Sequence, residues 1–286
     1  LTYHSKNNIL KCHYCGDTKP YPNICPECKS PYIKHFGVGT QRVEQEIKKI
    51  LPPARIVRMD MDTTSTKGAH QRILDAFRQK EYDILLGTQM VAKGLDFPDV
   101  TLVGVIAADT ALNLPDYRSS EKTFQLITQV AGRAGRGQRK GKVIVQTYQP
   151  EHYSIQYASR HDYKGFYDEE ITIRKQFNYP PFSHIIRILI SGEDEKSVIN
   201  TAIGIEKWMK HNITKDTIIK TGLLEIGAYP APLERIKNKY RWHVLIRIRK
   251  DRIFLERYHE VVDQCQKEFL NNSNTIVVDF YPTSLL

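Results

Sequence analysis

From Gly37 onward the chain alternates two textures, and no other feature restricts its fold so tightly. Helical patterns at about 41–51, 67–80 and 119–134 are interleaved with short apolar runs, RIVRM (55–59), YDILLG (82–87), VTLVGVIAA (100–108) and KVIVQTY (142–148). A helix of that kind has one stripe to bury, and a continuous apolar run needs cover on both faces. A parallel sheet layered with helices meets both demands. A polar, helix-like stretch over 151–177 leads to NYPPF (178–182), where paired prolines break helix and predict a boundary. Beyond it the expected order is strand (184–191), helix (194–210), strand (223–229), strand (241–249), helix (252–270) and strand (275–281). That βαββαβ order is the one of a ferredoxin-like α+β domain.

Residues 1–36 follow neither plan. They hold Cys, Pro, Lys and aromatics but too few aliphatic side chains for a core, so something other than burial must hold them. Cys12, Cys15, Cys25 and Cys28 form C-x2-C-x9-C-x2-C, in which two tight turns present four thiolates to one ion, and tetrahedral Zn2+ suits that donor set better than disulfides do. Gly16 permits the first turn and Pro26 stiffens the second. Such a zinc supplies folding free energy rather than chemistry. His4, His13 and His35 are further imidazoles that four thiolates make unnecessary. The fifth cysteine, Cys265, stands in a helical pattern and is expected in a core. The expected domains are therefore 1–36, 37–178 and 179–286.

No apolar run approaches the ~20 residues that span a bilayer, and no secretory leader pattern opens the chain. The expectation is a cytoplasmic protein with no membrane partner. The formal charge of +10 is spread over all three parts, which suits a polyanionic partner as well as mere solubility. One window is sharper. Residues 235–252 carry eight Lys or Arg against one Asp, with Tyr240 and Trp242 interleaved. Cations neutralise phosphates and aromatic faces stack on bases, so Lys239, Arg241 and Trp242 are candidate DNA contacts. The same window alternates Trp242, Val244, Ile246 and Ile248 as a core-facing strand would, with the arginines on its wet face.

Two stretches of the α/β part carry chemistry. In LLGTQMVAKGLDFPDVTLVGVIAADT (85–110) a strand ends at Gly87, and a loop then offers Thr88, Gln89, Lys93, Gly94 and Asp96 at the carboxyl end of the sheet. Ligands bind there in open α/β folds. In RSSEKTFQLITQVAGRAGRG (118–137), Ser119 or Ser120 is an N-cap candidate, and Phe124, Leu126, Ile127 and Val130 give the apolar face. Gln129, Arg133 and Arg136 follow i, i+4 and i+7 on one face, with Ala131, Gly132, Ala134 and Gly135 leaving room for close approach. Guanidinium forks on such a surface fit phosphate oxygens, and a γ-phosphoryl group in transfer rewards them most.

QVAGRAGR resembles motif VI of superfamily 2 helicases, and GTQMVAKGLDFPDVTLVGV resembles motif V. Together with CHYCG and CPEC, GVGTQRVEQEI, RMDMDTTSTKG and QTYQPEH, they make the chain similar to the PriA family of bacterial primosomal helicases over about residues 1–185. PAPLERIKNKYRWHVLIR fits that family's C-terminal domain. The resemblance implies a RecA-like second helicase lobe, with Arg133 and Arg136 as arginine fingers and Gln129 beside them, facing ATP on a partner lobe. It implies that Thr88, Lys93 and Asp96 couple nucleotide state to a single strand, with Thr88 and Lys93 as DNA contacts and Gly94 and Asp96 on the nucleotide side, and that translocation runs 3′ to 5′. ATP, Mg2+ and Zn2+ are the implied cofactors. The implied partners are forked and single-stranded DNA, single-stranded-DNA-binding protein and primosome loaders, in the cytoplasm near the nucleoid.

The chain departs from the family pattern in three ways. It opens LTYHSKNN without an initiator Met, as an excised portion would. Neither a G-x-x-x-x-G-K-[ST] phosphate loop nor a D-E-x-H box occurs, so the 286 residues are expected not to hydrolyse ATP alone. In the family Cys12 and Cys15 hold one zinc and Cys25 and Cys28 another, each with a further pair; without those partners the four regroup around one ion or the segment does not order. The alternative function is a non-catalytic zinc-containing module that binds DNA or protein.

Overall fold

The computed structural model describes residues 2–4, 9–11, 18–25, 29–31, 39–60, 62–88, 97–132, 140–269 and 273–285. Strands β1 (Thr2–His4), β2 (Ile9–Lys11) and β3 (Thr18–Pro20) form a three-stranded sheet in sequence order. Three-residue strands bury too little to stand alone.

The alternating part contains α1 (Thr40–Ile50), β4 (Ile56–Met59), α2 (Ala69–Arg78), β5 (Ile84–Gly87) and β6 (Leu102–Val105), then α3 (Asp109–Leu112), α4 (Ser119–Ala131), β7 (Lys142–Val145) and α5 (Tyr153–Ser159). Among the described residues its strands pair in parallel as two couples, β4 with β5 and β6 with β7. Gly68, at φ +78, precedes α2 in the left-handed region that a side chain resists. Met59 and Leu74 are buried beneath the first couple with Leu85 and Phe97 against them. Beside the second, Phe124 and Ile127 of α4 join Ala108, Ile155, Ala158 and Phe166.

The stretch expected as one helix over 151–177 is two, α5 and α6 (Tyr163–Gln176). The break falls at His161, whose φ is +53, and Asp162 restarts the helix by accepting from the Gly165 N–H at 2.8 Å. Then come β8 (Ser183–Gly192), α7 (Glu195–Lys215), α8 (Thr217–Gly222), β9 (Leu223–Ile236), β10 (Lys239–Arg249), α9 (Arg252–Glu268) and β11 (Thr275–Asp279). All neighbouring strands run antiparallel in the order β11-β8-β10-β9. Renumbered within the domain this is 4-1-3-2, the ferredoxin-like topology that the βαββαβ pattern predicts. Ile186, Ile188, Ile190, Val244, Ile246 and Ile248 on one sheet face pack with Val198, Ala202, Ile205 and Met209 of α7 and Tyr258, Val262 and Cys265 of α9.

The strand β9 runs seven residues past its expected end at Tyr229, through Pro230 and Pro232. Proline removes a ladder donor, but β9 is an edge strand with one side unpaired, where that loss costs little. A two-residue turn, Lys237 (φ +49) and Asn238 (φ +61), closes the hairpin to β10 with the backbone twist such hairpins need.

The chain divides into two compact units, one holding residues 1–10, 19–113 and 120–166, the other 11–18, 114–119 and 167–286.

Candidate nucleotide-handling and DNA-contact sites

Parallel pairing brings the carboxyl ends of β4 and β5 to one edge, since Met59 stands opposite Gly87. Asp60 and Thr88 are the next residues of the two strands. Thr88 is exposed there, whereas Asp60 is buried at 7% exposure. The Thr40 hydroxyl, in the first turn of α1, donates to Asp60 Oδ2 at 2.6 Å, and the Thr63 N–H donates to Oδ1 at 3.0 Å. Arg58 Nε lies 3.3 Å from the same carboxylate and 3.6 Å from Glu44. Burial alone raises the Asp60 carboxyl, but the Thr40 hydroxyl, the Thr63 N–H and the Arg58 charge outweigh it and hold it below its ordinary value. Asp60 therefore stays ionised and ties GVGTQRVEQEI to RMDMDTTSTKG.

A second carboxylate does the same work at the other couple. Asp109 opens α3 just past β6 and is 2% exposed. It accepts from the Thr147 hydroxyl at 2.8 Å and from the Tyr148 N–H at 3.0 and 3.1 Å. Burial opposes ionisation here too, and those donors overcome it, so its pKa is lowered. The stretch ending GVIAADT is thereby clamped to QTYQPEH. Sequence reasoning missed both carboxylates, because their partners lie 20 and 38 residues away and neither pair follows a helical or strand period.

Gln129 sits exposed in the last turn of α4, off the face that buries Thr123, Phe124 and Ile127. Gly132 follows directly, its N–H donating to Thr128 O at 3.0 Å. Arg133 and Arg136 lie outside the described residues, as do Lys93, Gly94 and Asp96. Of the four thiolates, Cys12, Cys15 and Cys28 also lie outside them. Cys25 is half-buried: its N–H donates to Ser30 O at 2.9 Å, its carbonyl accepts from Lys29 N–H at 3.0 Å, and Lys29 has φ +58. Cys265, by contrast, is 2% exposed within the core, where burial first and Glu268 second push its thiol up to about 12.

The basic window divides between the two faces of β10. Trp242 packs against the core that Val244, Ile246 and Ile248 fill. Arg241, 9% exposed, lies on the opposite face and donates to Leu233 O at 3.1 Å. His243 lies on that face as well, 4% exposed; burial, then the charges of Arg187 and Arg241, depress its imidazole to about 4. Lys239, beside the hairpin turn, is exposed. Of the three candidate contacts, Lys239 alone reaches out freely, and the other two brace the strand behind it.

Three family descriptions match the chain: the PriA DNA helicase Cys-rich region domain over residues 1–20, the helicase conserved C-terminal domain over 34–138, and the primosomal protein N C-terminal domain over 175–283. The replication restart protein PriA of Bacillus subtilis is 46% identical over 286 residues, all of this chain and 35% of the relative. That of Borreliella burgdorferi is 37% identical over 291 residues, all of this chain and 42% of the relative. That of Haemophilus influenzae is 34% identical over 284 residues, 99% of this chain and 38% of the relative. The chain thus spans well under half the length of each of these relatives.

Proposed function

The chain belongs to the PriA family of replication restart proteins, and on that footing we propose that it supplies the second motor lobe and the C-terminal DNA-contacting domain of an ATP-dependent 3′-to-5′ DNA helicase that acts at stalled forks. One observation carries the reading: a helicase C-terminal domain and a primosomal C-terminal domain stand in tandem on one chain. The exposed Gln129 supports it, since α4 delivers that amide directly ahead of Arg133 and Arg136.

In this reading the cleft is half built from these residues. Arg133 and Arg136 neutralise charge developing on the γ-phosphoryl oxygens, and Gln129 orients the attacking water. Mg2+ bound with the nucleotide would add positive charge beside these arginines. Thr88, Lys93 and Asp96, in the stretch that follows β5, connect that event to the single strand, Thr88 and Lys93 as DNA contacts and Gly94 and Asp96 on the nucleotide side. Asp60 holds the segment that follows β4, and Asp109 ties the segment after β6 to the one after β7. Cys12, Cys15, Cys25 and Cys28 are the thiolates for zinc, which supplies folding free energy. Lys239 meets a DNA phosphate, with Arg241 and Trp242 fixing the hairpin behind it. Single-stranded-DNA-binding protein and primosome loaders are the proposed partners, in the bacterial cytoplasm; among the described residues no helix is long and apolar enough to cross a membrane.

The test uses the complete protein that contains this chain. Arg133→Ala and Arg136→Ala should each lower DNA-stimulated ATP hydrolysis by about a thousandfold or more while leaving DNA binding in place, and the 286 residues alone should not hydrolyse ATP. Undiminished hydrolysis in both variants would sink the motor assignment. It would favour the non-catalytic module, whose DNA binding needs neither arginine.

A further inference from the structure

At the start of β8 lies a cleft of about 300 Å³ formed within the second unit. Its walls are aromatic and proline rings, Tyr117, Tyr281 and Pro282 among them, and its charged groups are Arg118 and Lys250; no carboxylate lines it among the described residues. Tyr281 is 56% exposed, which leaves much of its ring accessible from the cleft. The His184 ring meets Tyr281 edge-on, 5.5 Å between centroids at 78°. Burial, then the Lys250 charge, lowers the His184 pKa, so at neutral pH it adds a flat uncharged ring beside the cations.

One wall is held rigidly. Tyr117 stacks on Tyr179 at 5.5 Å and 10°, with the Arg174 guanidinium over the outer face of the pair at 5.4 Å and Arg247 over Tyr179 at 5.0 Å. Arg118 Nη1 donates to Thr283 O at 3.2 Å, fixing the guanidinium at the rim. A cleft of this size, flat-walled, cationic and without a carboxylate, matches a planar aromatic group joined to a phosphate.

We propose that this cleft takes one unpaired nucleotide of a DNA single strand, its base against Tyr281 and His184 and its phosphate between Lys250 and Arg118. The site is separate from Lys239 on the hairpin. It rests on the DNA-handling reading above and adds to it a place where a base, rather than the backbone alone, is held.

Fluorescence anisotropy with the full 286-residue chain tests it, using a labelled thymidine decamer, the same decamer with a central abasic position, and a blunt duplex. Tyr281→Ala should weaken decamer binding by about 5- to 100-fold, Tyr281→Phe should stay within about twofold, and neither should alter duplex binding. The abasic decamer should bind the parent chain as weakly as the intact decamer binds Tyr281→Ala, and Tyr281→Ala should not distinguish the two. Lys250→Gln should reduce the slope of log K against log salt by about 0.7, one phosphate contact fewer. Photocross-linking of a 5-iodouracil decamer should mark Tyr281.

If Tyr281→Ala binds the decamer like the parent while duplex binding persists, the cleft assignment fails and the DNA reading stands. Absence of all DNA binding by the parent chain removes both. If a Glu- and Asp-rich peptide binds the parent, loses binding in Tyr281→Ala and leaves the decamer undisturbed, the cleft is a peptide site and the proposal is overturned.

Discussion

The α/β unit and the ferredoxin-like unit solve the same problem, covering a sheet, to different degrees. In the second, six sheet residues and the facing stripes of two helices close one continuous core, most of it at zero exposure. In the first, strands of four residues pair two by two over separate small clusters. Leu102 and Ile144, on one face of β6 and β7, stay 58% and 50% exposed, although parallel strands normally bury both faces. The lesson is a division of labour: one unit is a self-sufficient platform, the other a working surface whose loops are pinned by carboxylates rather than by bulk packing.

Core truncation should break this contrast most visibly. Ile246→Ala is expected to cost about 2–5 kcal/mol in urea unfolding, and Ile144→Ala about 0.5 kcal/mol or less. Equal losses would mean that the exposed face of β6 and β7 is covered in solution. Acid separates the units next. His243 has a folded pKa of about 4 against an ordinary value of 6.5, so the unfolded chain takes up its proton first. Stability of the ferredoxin-like unit is therefore complete above about pH 6.5 and declines by about 3 kcal/mol as pH falls towards 4. His243→Gln should flatten that slope in thermal melts.

The α/β unit should answer to a lower window. Asp60 and Asp109 have lowered pKa values, so their contribution is present above the unfolded carboxylate value near 3.9 and disappears as pH falls through the folded ones. Asp109→Asn at neutral pH should cost about 1.5–3 kcal/mol, read as earlier proteolytic nicking near residues 146–150 while the C-terminal unit stays intact. The smallest signal is chemical. Cys265, with its thiol held at about 12 in the core, should resist iodoacetamide until the C-terminal unit unfolds, and mass spectrometry of labelled peptides would show earlier modification if that core opens locally.

Periodicity carried the elements that pack on one face. The stripes of α4 and α7 and the alternation of β10 are visible in the residues, because burial imposes a period on a regular element. Trp242, Val244, Ile246 and Ile248 illustrate the point: their alternation predicts a core strand, and the core receives them. What periodicity cannot encode is a bond between distant side chains, such as Thr40 with Asp60 or Thr147 with Asp109. Nor does it extend a strand through Pro230 and Pro232, since only the sheet order shows that β9 has an edge to spare. The left-handed turn at His161 was hidden for a similar reason, since Asp162 caps the following helix locally within a stretch whose texture is helix-like on both sides. The candidate site was read from motif spacing, and of it the structure describes Gln129 and Thr88, both exposed; the buried carboxylates Asp60 and Asp109 follow no such spacing.

The far end of the chain reaches back across 168 residues: Ser284 Oγ and the Leu285 N–H donate to Asp116 Oδ2 at 3.0 and 3.3 Å, and Arg187 Nη1 donates to Ser284 O at 3.0 Å. Asp116 is 6% exposed, so a donor lost from Ser284 is poorly replaced by water. Ser284→Ala therefore acts at a distance in sequence, loosening the segment that leads straight into α4.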